Sequence, residues 1–283
     1  MFNLLEKYKI KIKTCDNFVE KIISLSYNNQ KKEEIMEETV NDLLEKFKKI
    51  KKKGWIKSVE SGTSGIGRTL ENELEIDENQ LELPDYFDIE LKVKKANGFY
   101  NYVGLFCLSP ISRGIKPTIH RLQEKYGYPD KDMPDCKVLQ NCCFYKSRTR
   151  MNRNYFFSLN VFDNDDYIYL DVYDTNMELV ERYAAWRIKD IENKLELKLR
   201  KLALIEAEKM KINGHDYFRY TTIQIYRCKG IKAFIKLVKE QKIKINFTIG
   251  VFKKGSRKGQ LYDHGTSFQI KKEALEELFE KIA

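Results

Sequence analysis

The sequence contains no uncharged apolar run as long as a membrane span requires. Its first residues, MFNLLEKYKIKIK, place charges among the apolar side chains, unlike the uninterrupted apolar region of a secretory signal. The cysteine cluster Cys136, Cys142 and Cys143 lacks paired CxxC spacing and has no histidine near it in the sequence. We therefore expect a cytoplasmic protein with reduced thiols, no membrane partner and no zinc site.

The chain is rich in charge, and positive charge predominates. Lys and Arg number 52 against 42 Asp and Glu, which gives a formal net charge of +10 over 283 residues. Hydrophobic residues make up 42%, as in globular proteins, and the length suffices for one large domain or two lobes. The positive surplus indicates a polyanionic partner such as nucleic acid, although a general lysine bias would also produce it.

Hydrophobic periodicity predicts the main elements. Residues 1 to about 50 carry apolar side chains at helical spacing and predict helices, whereas residues 111–150 read as basic and irregular. Apolar and charged residues alternate over residues 89–94, which predicts a strand with one polar face. A long amphipathic helix is predicted over residues 186–201, then the buried strand LALIEAEKM, and a last helix from Glu273.

An acidic cluster interrupts this basic chain at the predicted strand. Asp85, Glu90 and Lys92 form a D-x4-E-x-K pattern, with Glu71 on a predicted helix before it. Glu90 and Lys92 share one face because strand side chains alternate. Carboxylates can hold Mg²⁺, which lowers the pKa of bound water, and a lysine can hold the attacking water. The pattern fits phosphodiester hydrolysis, and it fits equally well an exposed edge strand on which Glu90 and Lys92 pair as ions.

Further segments follow in a fixed order. GIGRTLE precedes PD, the strand segment IELK and VGLFCLSP, and these are followed by LALIEAEKM, YFRY and GSRKGQLYDHGTSFQI. These segments, at these spacings, resemble the MvaI/BcnI family of restriction endonucleases, which is related to the MutH nicking enzyme within the PD-(D/E)xK nuclease superfamily. The resemblance extends from about Gly54 to Ile270, and residues 1–50 form a longer N-terminal extension than the family leads us to expect.

The resemblance implies an α/β (α+β) fold: a PD-(D/E)xK mixed sheet flanked by helices, with a second lobe that recognises DNA. We expect residues 1–50 to form a helical extension and residues 51–115 and 186–211 to form the catalytic core. The recognition lobe would then comprise residues 116–185 and 212–283.

The resemblance also assigns catalytic roles to Glu71, Asp85, Glu90 and Lys92. Asp85 and Glu90 would bind the metal together with the backbone carbonyl of Leu91, Lys92 would position the water, and Glu71 would hold a water on the metal or a second ion. The implied protein is a type II restriction endonuclease that uses Mg²⁺, or Mn²⁺ in its place. It would cut double-stranded DNA as a monomer, one strand at a time.

A cognate DNA methyltransferase of the same restriction-modification system, in a prokaryotic cell, is the implied functional partner. Two alternatives stay open: a MutH-like repair nickase that works with partner proteins, and a DNA-binding module without catalysis. The intact acidic cluster argues against the second, because clustering like charges has a cost.

Residues of the expected recognition lobe depart from the family pattern. Asn246-Phe247-Thr248 stands where the family has Asp-x-Arg, Gln269 stands where it has arginine, and Tyr262 replaces a histidine. Arginine reads guanine, whereas Asn and Gln suit adenine. We therefore expect a target other than CC-N-GG and richer in A·T pairs. The alternative is that Arg257 or Lys258 supplies the guanine contacts.

The late basic loop and the DHGT segment complete the expected DNA contacts. The phosphate-binding candidates, each of which could also be a solvated surface charge, are Lys253, Lys254, Arg257, Lys258, Arg148, Arg150 and Arg153. Asp263 and His264 keep the family motif, and His264 either touches the minor groove or caps the local turn.

Overall fold

The computed structural model describes residues 29–76, 83–96, 98, 100–111, 118–263 and 265–283. The helices of this part of the chain are α1 (Asn29–Lys52), α2 (Gly65–Glu73), α3 (Thr118–Tyr126), α4 (Ile188–Leu197), α5 (Ile231–Lys239) and α6 (Leu275–Leu278), with a 3₁₀ turn at Lys272–Ala274. The strands are β1 (Ile56–Lys57), β2 (Ile89–Lys95), β3 (Tyr102–Cys107), β4 (Tyr128–Pro129), β5 (Lys137–Cys143), β6 (Thr149–Arg150), β7 (Phe156–Val161), β8 (Tyr167–Tyr173), β9 (Leu179–Arg187), β10 (Lys201–Ile212), β11 (His215–Cys228), β12 (Ile243–Val251), β13 (Leu261–Asp263), β14 (Ser267–Lys271) and β15 (Phe279–Lys281). None of the helices in the described part of the chain has the length and apolar character needed to cross a membrane.

The chain forms two compact units, each built from two segments. Of the described residues, those within 1–78 and 206–223 form the first unit, and those within 79–205 and 224–283 form the second. Strands β10 and β11 contribute residues to both units. The division into a catalytic core and a recognition lobe, which rests on function rather than on compactness, stays a prediction.

In the first unit, α2 packs on the hairpin formed by β10 and β11. Tyr220 is buried and donates its hydroxyl hydrogen to the carbonyl of Ile66 at 2.8 Å. Ile56 of β1 pairs with Phe218 in antiparallel register. The helix begins at Gly65, where a side chain would bring its Cβ within 2.6 Å of Ser58 Oγ, so the close approach requires glycine.

In the second unit, a six-stranded sheet has the order β3-β14-β12-β5-β4, with β13 also pairing with β12. A four-stranded sheet has the order β6-β7-β8-β9. Strand β12 alternates between buried apolar residues and partly exposed polar ones. Its buried Phe247 packs against Phe157 and Trp186, with ring centroids 5.9 and 6.3 Å apart. Burial of this aromatic cluster stabilises one face of the sheet and leaves the other polar.

Several predicted elements are confirmed, and others were wrong. The strand at residue 89 and the strand LALIEAEKM are present as β2 and β10. Residues 111–150 contain α3 and β5 rather than only irregular structure, since Leu122 and Leu139 are both buried in the core. The helix predicted over residues 186–201 is shorter, because the start of that segment pairs with β8 as part of β9.

The helix predicted from Glu273 was also wrong in extent. A 3₁₀ turn and the short α6 lead directly into β15, and Phe279 pairs with Cys228 of β11. Backbone pairing with β11 thus replaces the helical turn that the local charge pattern favoured. The predicted helices before residue 29 lie outside the described residues.

Candidate active site

The turn before β2 fixes the first carboxylate of the acidic cluster. The backbone N–H of Tyr86 donates to the carbonyl of Ile89 at 2.9 Å, and the N–H of Ile89 donates back to Tyr86 at 2.8 Å. Asp85 Oδ2 accepts the backbone N–H of Leu91 at 2.9 Å. Asp85 therefore lies beside the start of the strand that carries Glu90 and Lys92.

Glu90 is a nearly buried carboxylate with one oxygen in use. Only 2% of Glu90 is exposed, and its Oε1 lies 2.5 Å from Lys92 Nζ and 3.6 Å from Lys198 Nζ. Its Oε2 is buried and has no hydrogen-bond partner among the described residues. An unpartnered buried carboxylate oxygen is costly, so this atom is suited to a cation.

The electrostatic environment of Glu90 also favours a bound cation. Burial raises the pKa of the Glu90 carboxyl above its ordinary value of 4.5, and the nearby Asp85 carboxylate adds to the rise. The ammonium groups of Lys92 and Lys198 oppose it. Because desolvation is the largest effect, the ionised form of Glu90 would gain from an additional positive charge.

The donor set fits a divalent ion that prefers oxygen ligands. Among the described residues, no group of three or more His, Cys, Asp and Glu side chains is placed to hold a metal by itself. Asp85 and Glu90 supply hard oxygen donors of the kind that Mg²⁺ prefers, with waters and backbone carbonyls as usual further ligands. Burial raises the pKa of the Cys107 thiol, although the nearby Lys92 ammonium opposes the rise. The raised pKa disfavours the thiolate form that zinc binds.

Glu71 belongs to the first unit, whereas Asp85, Glu90 and Lys92 belong to the second. It lies on α2, where its Oε2 accepts a hydrogen bond from Arg68 Nη1 at 2.9 Å. Glu71 is therefore held by a neighbour one helical turn before it, and its role at the cluster stays a prediction.

A second polar surface lies on the outer face of the six-stranded sheet. It forms a groove of about 680 Å³. Three predicted recognition residues line this groove: Asn246, Thr248 and Gln269. The groove is also lined by residues that the sequence reasoning missed, namely Gln140, Asn141, Cys142, Phe247, Gly265 and Ser267.

The basic loop after β12 is only partly available to a ligand. Lys253 Nζ is paired with Asp130 and lies 3.4 Å from Asp132. Lys254 and Lys258 are exposed and form no ion pair with any described residue. The guanidinium of Arg257 lies 4.0 Å from the ring centroid of Phe252.

The DHGT segment follows this loop. Tyr262 is exposed, and its ring centroid lies 4.5 Å from that of Phe252, with the two ring planes tilted by 37°. Asp263 Oδ1 accepts the backbone N–H of Gly265 at 2.9 Å, which closes the turn. His264 lies outside the described residues.

Comparison with known proteins decides the family. A model of the MvaI/BcnI restriction endonuclease family matches residues 44–279. The chain belongs to the MvaI/BcnI family. A solved structure of the restriction endonuclease MvaI–cognate DNA substrate complex matches with a TM-score of 0.77 and 28% identity, over 87% of this chain and 98% of that chain. MvaI in the absence of DNA matches with a TM-score of 0.54 and 25% identity, over 87% and 97% of the two chains. None of the curated proteins matches the chain.

The predicted family and α/β fold class are thereby confirmed, and the chain is a site-specific deoxyribonuclease of the MvaI/BcnI type. The individual site residues, the identity of the metal and the target stay predictions.

The turn beside the acidic cluster contains an ion pair with a buried lysine that sequence reasoning missed. Lys201 is 1% exposed, and its Nζ lies 2.9 Å from Asp88 Oδ2, within the turn between Asp85 and Glu90. Burial lowers the pKa of Lys201, and Asp88 opposes that effect. The only signal in the sequence was a lysine directly before the apolar run LALI at the start of β10, since a lysine is rarely buried in a core.

Proposed function

We propose that this restriction endonuclease hydrolyses phosphodiester bonds of double-stranded DNA at a short specific sequence with Mg²⁺, or Mn²⁺ in its place, at Asp85, Glu90 and Lys92. The observation that carries the proposal is the buried, unpartnered Oε2 of Glu90 beside the Lys92 ammonium. A DNA-binding module without catalysis gains nothing from such a costly carboxylate. DNA as the ligand is supported by the family and by the MvaI–DNA complex.

Each residue of the cluster has a proposed task. Asp85 and Glu90 would hold the divalent ion, with the carbonyl of Leu91, and Glu71 would hold a second ion or a water. The ion, when bound, supplies charge neutralisation and a lower pKa for water. Lys92 Nζ would donate a hydrogen bond to the attacking water and stabilise negative charge that develops on the phosphate.

We further propose that the enzyme acts as a monomer that nicks the two strands in turn. Its host would protect the target with a cognate methyltransferase of the same restriction-modification system. In this proposal, residues 51–115 and 186–211 form the catalytic core. Residues 116–185 and 212–283 form the recognition lobe, and residues 1–50 form an extension.

The proposed target differs from CC-N-GG and contains A·T pairs. Support comes from the groove, where Asn246, Thr248 and Gln269 lie together and no arginine lines the surface among the described residues. Amide side chains pair bidentately with adenine, whereas guanine is read mainly by Arg or Lys. Cleavage of CCWGG or CCSGG duplexes by the purified protein would contradict this part of the proposal.

Digestion of a small supercoiled plasmid of known sequence tests the function. We expect nicked circles first and then discrete fragments, in Mg²⁺ but not in EDTA, and sequencing of the fragment ends gives the target. Nicked circles that never become linear would instead support a MutH-like nickase. Intact plasmid across many substrates would contradict autonomous cleavage.

A further inference from the structure

The groove on the six-stranded sheet has an unusual lining for so basic a protein. All the described side chains that line it are uncharged, although the chain carries a net charge of +10. Phosphates are bound mainly by Lys, Arg and backbone N–H groups, whereas base edges are read by amides and hydroxyls as well. The lining therefore suits base edges better than the DNA backbone.

Gln140 is one of the residues that line this groove. It lies on β5 opposite Thr248 of β12, and Asn246 lies opposite Cys142 in the same register. Directly opposed residues of paired strands project from the same face, so Gln140, Thr248 and Asn246 share the polar face. Gln140 is exposed on that face.

The side-chain amide of Gln140 is available, with both its donor and its acceptor. It forms no hydrogen bond with any residue in the described part of the chain, while its backbone carbonyl accepts the hydroxyl of Tyr128 at 3.0 Å. A Cβ on Gly250 would lie 3.3 Å from Gln140 Nε2. The missing side chain at Gly250 thus leaves room for this amide over the strand.

Other polar groups of the groove are already engaged. Asn141 Nδ2 donates to the carbonyl of Arg150 at 2.8 Å, and its Oδ1 accepts the N–H of Cys142 at 2.8 Å. Thr248 Oγ1 donates to the carbonyl of Gly265 at 2.8 Å. Gln269 Nε2 donates to a serine hydroxyl at 3.0 Å.

We infer that Gln140 is a specificity-determining residue that reads an adenine of the target in the major groove, beside Asn246. The inference rests on the proposed function and deepens it. The amide oxygen of Gln140 accepts the adenine N6–H, and its nitrogen donates to N7. Diagonal neighbours on paired strands are about 7–8 Å apart, or about two steps of 3.4 Å along a DNA strand. Gln140 and Asn246 therefore read adenines at two nearby positions.

Selection of bound duplexes from a random pool, without divalent metal, tests the inference independently of cleavage. The wild type is expected to select A·T pairs at two nearby positions. Gln140→Ala is expected to accept any base at one of them and to bind the best site about 10- to 100-fold more weakly. Gln140→Glu, whose carboxylate can only accept, is expected to shift that position from adenine to cytosine.

Two control variants separate base reading from other effects. Gln224→Ala removes an amide outside the groove and is expected to leave the selected sequence unchanged. Lys254→Ala is expected to weaken binding to all duplexes without changing their order.

Unchanged selection by Gln140→Ala, or lost preference at a G·C position, would overturn the inference, as would a wild type that selects no sequence. A wild type that selects A·T pairs through Gln140 but never cuts DNA would overturn the proposed cleavage and leave the inference standing.

Discussion

At the scale of single residues, Glu90 combines deep burial with an ionisable carboxyl group. Its carboxylate is buried to 2% exposure, one oxygen pairs with Lys92, and the other has no partner among the described residues. Without a bound cation, this arrangement disfavours the ionised form of the Glu90 carboxyl. A bound cation would favour that form. The same residue therefore links the proposed catalysis and metal binding to stability.

The first prediction concerns the pH dependence of stability without metal. Burial raises the folded-state pKa of Glu90 above 4.5. The contribution of the protonated Glu90 carboxyl to the free energy of unfolding is therefore fully present at pH values below 4.5 and is lost as pH rises through the folded-state pKa. Glu90→Gln cannot ionise and escapes that loss. Thermal scans in EDTA measure the Tm of both proteins. The Tm of Glu90→Gln should increase relative to that of the wild type as the pH is raised from about 4 to about 7. A constant difference would contradict the raised pKa.

Some residues of the candidate site could be predicted from the sequence and others could not. The spacing of Glu90 and Lys92 predicted a shared strand face, and the structure places Asp85 beside the start of that strand. Gln140 and Lys201 escaped notice because their importance depends on partners distant in sequence: Thr248 across a strand pair, and Asp88 in the turn before β2. Period-two alternation is local, whereas strand order is not.

At the scale of secondary structure elements, α2 depends on a close approach at its first residue. A Cβ at Gly65 would meet Ser58 Oγ at 2.6 Å and the carbonyl of Glu60 at 2.8 Å, whereas one at Gly67 would meet only Glu71 Oε1 at 3.9 Å. Gly65→Ala should lower the free energy of unfolding by about 1–3 kcal/mol through overpacking. Gly67→Ala should raise it by about 0.5–1 kcal/mol through helix propensity. Urea denaturation of both variants measures this, and equal effects would contradict the packing at Gly65.

The turn that leads into β2 gives a third prediction. Asp88 holds the buried ammonium of Lys201 and is itself 33% exposed, whereas Lys201 is 1% exposed. Asp88→Asn should therefore lower the free energy of unfolding by about 2 kcal/mol, because a buried charge loses its carboxylate. Lys201→Met should cost less, since the Asp88 carboxylate can still reach water. Chemical denaturation compares the two, and the reverse order would contradict the pairing.

Elements were predicted from the sequence where local periodicity and tertiary packing agree. The alternating β2 and β10, whose first half is buried and apolar after Lys201, are examples. Prediction failed where packing overrides local pattern: Trp186 pairs with Ile168 in a sheet instead of starting a helix, and Phe279 pairs with Cys228. In both places, hydrogen bonds to a distant strand satisfy the backbone N–H and C=O groups better than a local helix would.

At the scale of the whole molecule, the net charge of +10 predicts DNA binding that weakens with salt. Lys254 is exposed, whereas Lys253 is paired with Asp130 and Asp132. Lys254→Ala should reduce the slope of log K against log salt by about 1, as expected for one lost phosphate contact. Lys253→Ala should reduce it less, because its acidic partners already neutralise it. Binding titrations at several salt concentrations measure both slopes, and equal reductions would contradict the difference in availability.

The central claim is that Asp85, Glu90 and Lys92 perform the hydrolysis, and single-turnover cleavage of a target duplex in Mg²⁺ by Lys92→Ala tests it most directly. Lys95→Ala, at the exposed end of the same strand, is the matched control. We predict that Lys92→Ala cleaves at least about 100-fold more slowly than the wild type with unchanged DNA affinity, and that Lys95→Ala cleaves normally. Cleavage by Lys92→Ala at the wild-type rate would contradict the assignment of this cluster as the active site.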